Sequence, residues 1–386
     1  MPPRIELKRY KTILTGDNFT LAPDSNEIEV SIFGPGYGEC VLVHVGFNNW
    51  FIIDSCIDPI YKDPIPLAYL DAINVDPGTS VKQVIATHWH DDHIRGIGET
   101  FKICESGEFV CSIALSSKEF LTLVNAYNER SMIDGTGINE MQKVIEKLSW
   151  RKDNSVPNFT PKFAKANLPL WRNTLGHATS SYTCSIYALS PSDTAVLASQ
   201  LDISKLLPLE KQPKRALIST SPNRASVVIW VNIGEYNILL GSDLEEAGDG
   251  SSGWSGILKS SLRPSGKASY FKVPHHGSST AHNDRVWTEM LHENPVATLT
   301  PYVNGSTKLP NNIDINRISS KTNQAFVTTR PERTSSTRKR GAPVDKMIKE
   351  TVKNIKEIYT SIGHIRLRFK PGKKEQIELF GNAYKI

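Results

Sequence analysis

Thr87-His88-Trp89-His90-Asp91-Asp92-His93 decides how this chain is read. The run has the form His-x-His-x-Asp-His. It follows directly on an apolar stretch, Val81 to Ala86, that has the composition of a buried strand. Neutral imidazole and carboxylate together suit zinc, manganese or iron. A strand that ends in a tight loop can aim alternate side chains at one point. A solvated polar turn that happens to be rich in histidine is the plain alternative, and the spacing argues against it.

Working outward, four apolar strands end in ligand-capable side chains: at Asp54, at His88 to His93, at Asp243 and at His275-His276. Loops at the carboxyl ends of strands converge in layered α/β proteins, so these clusters point to one site. A two-metal site needs two ligand sets and a bridging carboxylate. His88 and His90 suit one ion. Asp92, His93 and one of the paired histidines suit the other, with Asp243 as the bridge. Asp54 is placed to orient a histidine ligand or the motif loop from behind. Asp91 is expected behind the site or facing solvent.

The 386 residues allow one large domain with insertions, and the hydrophobic share of 39% is ordinary for a globular chain. No apolar run approaches a membrane span, and Met1 to Tyr10 lacks the apolar core of a signal peptide. Five scattered cysteines without a CxxC pair fit a reduced, cytoplasmic setting. The net charge of +5 is uneven: Lys308 to Ile386 holds 18 Lys and Arg against 7 Asp and Glu, a balance of +11 that leaves −6 for residues 1–307. That basic tail, with Arg338, Lys339, Arg340, Arg366 and Arg368 among its charges, is a candidate contact for nucleic-acid phosphates.

Short strands are predicted over 28–54. Residues 105–215 read as a mostly helical insertion, with helices over 117–130, 138–150 and near 193–206, a loop over 151–180, and a strand near 182–189. That insertion is a candidate surface for a protein partner. Strand patterning returns at Ser226. An amphipathic helix is predicted over 344–359, and two strands over 364–369 and 376–380 close a basic C-terminal segment, 331–386. The blocks suggest a layered α/β architecture in a single domain, 1–386.

His88-Trp89-His90-Asp91-Asp92-His93 resembles the signature motif of the metallo-β-lactamase fold. The surrounding segments are similar to the soluble hydrolase domain of ComEC-type competence proteins: Gly34-Pro35-Gly36-Tyr37-Gly38-Glu39-Cys40, Phe51-Ile52-Ile53-Asp54-Ser55, Gly241-Ser242-Asp243 and Lys272-Val273-Pro274-His275-His276-Gly277-Ser278. The resemblance implies an α+β, four-layer αββα sandwich with the metals at one edge between the sheets. It also implies a metal-dependent hydrolase, often of phosphodiesters. His276, before the glycine, becomes the metal ligand of the pair. His275 becomes the acid or substrate contact, and Asp92 and His275 the catalytic candidates. The third-motif histidine of the fold is missing; Asn223 stands in that region, with His177 as an alternative donor from the insertion. One of the two divalent ions, Zn2+ or Mn2+, is then held more weakly, and oxygen donors there suit manganese.

A soluble phosphodiesterase or nuclease leads the functional reading. Hydrolysis of a small ester, lactone or phosphocholine-like group is the second, and a non-catalytic metal-binding partner module the third.

Overall fold

Strands covered on both faces need not alternate apolar with polar residues, and the central strands Ile28–Gly34, Cys40–His44, Trp50–Ile53 and Val81–Ala86 are buried nearly throughout. The computed structural model describes residues 9–128, 137–177, 180–207, 222–331 and 362–386, with positions 347 and 351. In chain order come β1 (Ile28–Gly34), β2 (Cys40–His44), β3 (Trp50–Ile53), β4 (Val81–Ala86), β5 (Glu108–Ser112) and β6 (Lys162–Ala164). Next are β7 (Leu168–His177), β8 (Ser180–Ala188), β9 (Ile229–Ile233), β10 (Tyr236–Leu240), β11 (Ala268–Lys272) and β12 (Leu291–Leu299). The small hairpin β13 (Tyr302–Asn304) and β14 (Thr307–Leu309), then β15 (Ala325–Val327), β16 (Gly363–Phe369), β17 (Gln376–Gly381) and β18 (Tyr384–Lys385) complete the set.

One sheet has the order β17-β16-β1-β2-β3-β4-β5-β6, the other β18-β15-β12-β11-β10-β9-β8-β7. Period-two alternation sends Phe51 and Ile53 of β3 into the space between the sheets, where they meet Ile229, Val231 and Tyr270. Trp50 and Ile52 of the same strand face outward, into a core with Leu67, Ile97 and Phe101. On the far side Trp230, Leu239 and Phe271 pack with Trp254 and Ile318. Three apolar cores therefore separate four layers, helix–sheet–sheet–helix: an αββα sandwich.

The parallel parts set the site. β3, β4, β5 and β6 run parallel in the first sheet, and β10, β11, β12 and β15 in the second. The ligand-bearing loops follow the carboxyl ends of β4, β10 and β11.

Residues 105–215 differ from the expected mostly helical insertion. They contain α1 (Lys118–Asn128), α2 (Gly137–Asp153) and α3 (Asp193–Lys205), but they also supply β5 and β6 to one sheet and β7 and β8 to the other. The stretch read as loop over 151–180 contains the whole of a ten-residue strand, Leu168–His177. It is an edge strand whose solvated residues, such as Arg172 and Asn173, hide the apolar signal.

The C-terminal strands belong to the sheets: β16 pairs with β1, and β18 with β15. The helix predicted over 344–359 lies outside the described residues apart from positions 347 and 351. Arg366 and Arg368 depart from the expectation of a phosphate-binding surface, because both are buried. Arg366 pairs with Glu378 at 2.8 Å and donates to the carbonyls of Asn18 and Phe19, while Arg368 pairs with Glu29 at 2.7 Å and donates to that of Leu21. A guanidinium has enough donors to bind a carboxylate and a strap of carbonyls together, which fixes the N-terminal segment to β16.

Candidate metal centre

The site is assembled from two sheets. After β4, the chain turns through the motif so that His88 and His93 are buried while Trp89 faces the opposite way, edge-on to Phe120 with ring centroids 6.0 Å apart. The His88 ring lies 4.2 Å from that of His93 and 5.0 Å from that of His90. From the second sheet, Asp243 follows β10 and His276 follows β11. His93 Nε2 is 3.3 Å from Asp243 Oδ1 and 3.7 Å from Asp92 Oδ2. His276 Nε2 is 3.3 Å from Asp92 Oδ2 and 3.5 Å from Asp243 Oδ2.

These spacings test the fit of a cation. Donors held about 2.1 Å from a tetrahedral ion stand about 3.4 Å from one another. The observed separations match that edge length, yet the atoms do not satisfy each other. His88 Nε2, His93 Nε2, His276 Nε2 and Asp243 Oδ1 are all buried without a hydrogen-bond partner among the described residues. An unpaired buried polar atom is costly, and four converging ones suit an ion. Charge gives the same answer. Glu39, Asp54, Asp92 and Asp243 are buried carboxylates, and Lys272 is the one buried ammonium beside them among the described residues. Burial opposes a charge on His93, but Asp243, Glu39 and Asp92 outweigh it and raise its pKa well above the ordinary value. Burial likewise works to raise Asp92 and Asp243, and the charges of His93 and His276 reverse it and pull both below the usual carboxylate range. Burial, aided by His93 and His90, pushes His88 well down and leaves it a neutral donor. Burial lowers His90 as well.

The rings are aimed from behind. Asp54 Oδ2 accepts from His93 Nδ1 at 2.8 Å, and the same carboxylate accepts from the Thr87 amide and hydroxyl at 2.8 and 2.7 Å. His276 Nδ1 faces the carbonyl oxygen and hydroxyl of Thr300 at 3.1 and 3.2 Å, and His88 Nδ1 meets the Ser226 hydroxyl at 3.2 Å. With Nδ1 engaged, Nε2 is the free donor on each ring.

Glu39 is a site residue the sequence reading quoted without giving a role. One ligand atom from each of Glu39, His93, Asp243 and His276 lies within 4.8 Å of the others. Glu39, however, sits on the Nδ1 side of His93 and His276, at 3.7 and 3.8 Å. It pairs with Lys272 Nζ at 2.5 Å and accepts from the Thr300 hydroxyl. That places it behind the imidazoles rather than among the Nε2 donors. A signal was present: an acidic residue entering an apolar strand next to glycine, and a lysine ending another.

The remaining candidates separate. Asn223 is buried with Oδ1 unpaired, and its Nδ2 is 3.4 Å from His275 Nε2. His275 Nδ1 lies 2.9 Å from Glu245 Oε1 and 3.2 Å from the Thr280 hydroxyl. Burial lowers its pKa, but the Glu245 hydrogen bond prevails and raises it. Asp91 turns away and accepts from the Gly137 amide at 2.6 Å. His177 is edge-on to Phe47 at the far end of β7, 5.4 Å between centroids. Arg338, Lys339 and Arg340 lie outside the described residues.

Residues 33–115, which span β2 to β5 and the His-x-His-x-Asp-His turn, match the family model of the Metallo-beta-lactamase superfamily. The two stacked sheets flanked by helices have the arrangement of the metallo-beta-lactamase fold. No curated protein matches the chain at a significant level. Among solved structures, the chain is similar to MEM-A1, a subclass B3 metallo-beta-lactamase from a soil metagenome library, with 13% identity, TM-score 0.32, and 69% of this chain and 83% of that one covered. It is similar to the metallo-beta-lactamase fold protein YhfI of Bacillus subtilis, with 11% identity, TM-score 0.27, and coverage of 58% and 66%. It is also similar to a Cronobacter sakazakii metallo-beta-lactamase with a HARLDQ motif, with 11% identity, TM-score 0.28, and coverage of 53% and 52%, so the chain spans about half the length of that protein.

Proposed function

We propose that this chain is a metal-dependent hydrolase of phosphodiesters with nucleic acid as its substrate. The observation that carries the reading is the convergence of unpaired, buried donors from two sheets: Nε2 of His88, His93 and His276, and Oδ1 of Asp243. Most of the metallo-beta-lactamase superfamily are metallo-hydrolases. His88 and His90 would hold one ion, Asp92, His93 and His276 the other, and Asp243 would stand between them. Asn223 offers an amide oxygen where an imidazole would bind harder, so the ion at His88 and His90 is the weaker of the two, with manganese suited to it and zinc to the other. When bound, such ions polarise a phosphoryl oxygen and make water acidic enough to ionise near neutral pH.

The chain's own residues supply the rest. Asp54, Thr300 and Ser226 fix the rings so that Nε2 faces the cleft. His275, hydrogen-bonded to Glu245 through Nδ1, would present a proton from Nε2 to a leaving oxygen once substrate displaces the Asn223 amide that lies 3.4 Å from that nitrogen. A phosphodiester concentrates charge on oxygen in its transition state, which matches a site built to hold cations.

The test is a metal-reconstituted preparation assayed on bis(4-nitrophenyl) phosphate, single-stranded DNA and RNA beside a neutral ester, a lactone and a phosphocholine ester, with bound metal measured in the same sample. Cleavage of the phosphodiesters is expected. Turnover confined to the neutral substrates, or stoichiometric metal with no turnover, would overturn the reading, and turnover of the phosphocholine ester alone would reject nucleic acid as the substrate.

A further inference from the structure

Beside the ion-binding donors runs a ladder of rings that ends in a cation. The His276 ring lies 5.2 Å from Tyr302, Tyr302 lies 5.6 Å from Tyr37, and the Arg95 guanidinium sits 5.0 Å over the Tyr37 ring. The ladder joins separate parts of the chain. Tyr37 belongs to the loop between β1 and β2, Arg95 follows the His-x-His-x-Asp-His turn, and Tyr302 opens the β13–β14 hairpin. The Val303 amide donates to the Gly36 carbonyl at 2.8 Å, which locks that hairpin to the Tyr37 loop.

Three features of this wall have no use inside the fold. The Tyr37 hydroxyl has no hydrogen-bond partner among the described residues. The Tyr302 hydroxyl accepts from Asn304 Nδ2 at 3.1 Å, which leaves its own proton to donate. Arg95 reaches Asp91 only at 3.7 Å, its Nε is buried and unpaired, and its side chain remains 36% exposed. The rings pack at tilted angles of 32° and 43°, which limits the entropy these donors lose when they bind a ligand.

We propose that Arg95, with the hydroxyls of Tyr37 and Tyr302, binds the non-bridging oxygens of an anionic phosphodiester and so selects it over a neutral ester of the same shape. This rests on the phosphodiesterase reading and names the residues that would enforce it. A guanidinium and two phenols offer only donated protons to a ligand oxygen, and hydrogen bonds to charged oxygens are about twice as strong as neutral ones.

The test is equilibrium binding, by calorimetry on the metal-loaded protein, of thymidylyl-thymidine phosphate and its uncharged methylphosphonate analogue. The wild type is expected to prefer the anion. Arg95→Met is expected to cut that preference about tenfold at unchanged metal content, with Arg95→Lys restoring part of it, and Tyr37→Phe to cut it about threefold. An unchanged preference in Arg95→Met would overturn the proposal. Loss of the preference in a protein that binds the dinucleotide but never cleaves it would uphold this site and reject the hydrolase reading, so the two failures are distinguishable.

Discussion

Lys272 Nζ lies 2.5 Å from Glu39 Oε1, and the two side chains are 1% and 2% exposed. The ion pair crosses from one sheet to the other directly behind the His93 and His276 rings. Removing one partner leaves a buried charge without compensation, at a cost of about 3–5 kcal/mol. Lys272→Met should lower the denaturation free energy by that order, and the double change Glu39→Gln with Lys272→Met should recover much of it. A single variant as stable as wild type would show the pair to be idle.

Asp243 turns its two oxygens to His93 Nε2 and His276 Nε2, so metal should stabilise the wild type and not its amide. At a hundredfold excess of ion over Kd the expected gain is about 2.7 kcal/mol. Asp243→Asn should lose most of that gain and at least a hundredfold in turnover, while the circular dichroism of the metal-free protein stays the same. Equal thermal shifts with added metal in both proteins would contradict the assignment.

The motif loop is also clamped from outside. An added Cβ on Gly137, the first residue of α2, would lie 2.1 Å from the Trp89 carbonyl oxygen. Gly137→Ala should push the helix off the loop and weaken the bond from its amide to Asp91. A loss of about 2 kcal/mol in stability is expected, the usual scale for overpacking, with weaker metal retention on dialysis. Metal content and melting temperature of the variant are the readouts.

His44 gives a pH signature independent of the metal site. Its ring stacks on Trp50 with centroids 4.7 Å apart, and burial brings its pKa down to about 4. The unfolded chain takes up that proton near pH 6.5, so the contribution is fully present above 6.5 and is lost as pH falls toward 4. The loss is on the order of 3 kcal/mol. The difference in stability between wild type and His44→Gln should therefore change across pH 6.5 to 4 and be flat above 7. A flat difference throughout would remove His44 as the cause.

Nucleic-acid binding can be apportioned by salt. If Arg338, Lys339 and Arg340 meet phosphates, changing all three to alanine should reduce the slope of log K against log salt by roughly 2 to 3. Arg366→Met should leave the slope alone and reduce stability instead, because Arg366 is occupied by Glu378 and two carbonyls. The reverse pattern would place the phosphate contact on β16.

Much of this was legible because both faces of the central strands are buried. Runs such as Trp50 to Ile53, and Val81 to Ala86 with only Lys82 and Gln83 between its apolar residues, lead into the side chains that meet at the site. What was hidden has physical reasons. β7 lies at a sheet edge and carries solvated residues on one side, so its composition is that of a loop. Arg366 and Arg368 counted as surface charge, because composition does not show that buried carboxylates and main-chain carbonyls will surround a guanidinium. Glu39 and Lys272 were visible as letters, but their pairing spans more than two hundred positions and exists only once the sheets stack.

Because His93 is contributed by one half of the sandwich and Asp243 and His276 by the other, neither half on its own carries the whole donor set. A ribosome must release more than the first 276 residues before the coordination sphere can close. Full ion uptake would therefore report the final docking of the halves, and a chain truncated before that point would lack the His276 donor.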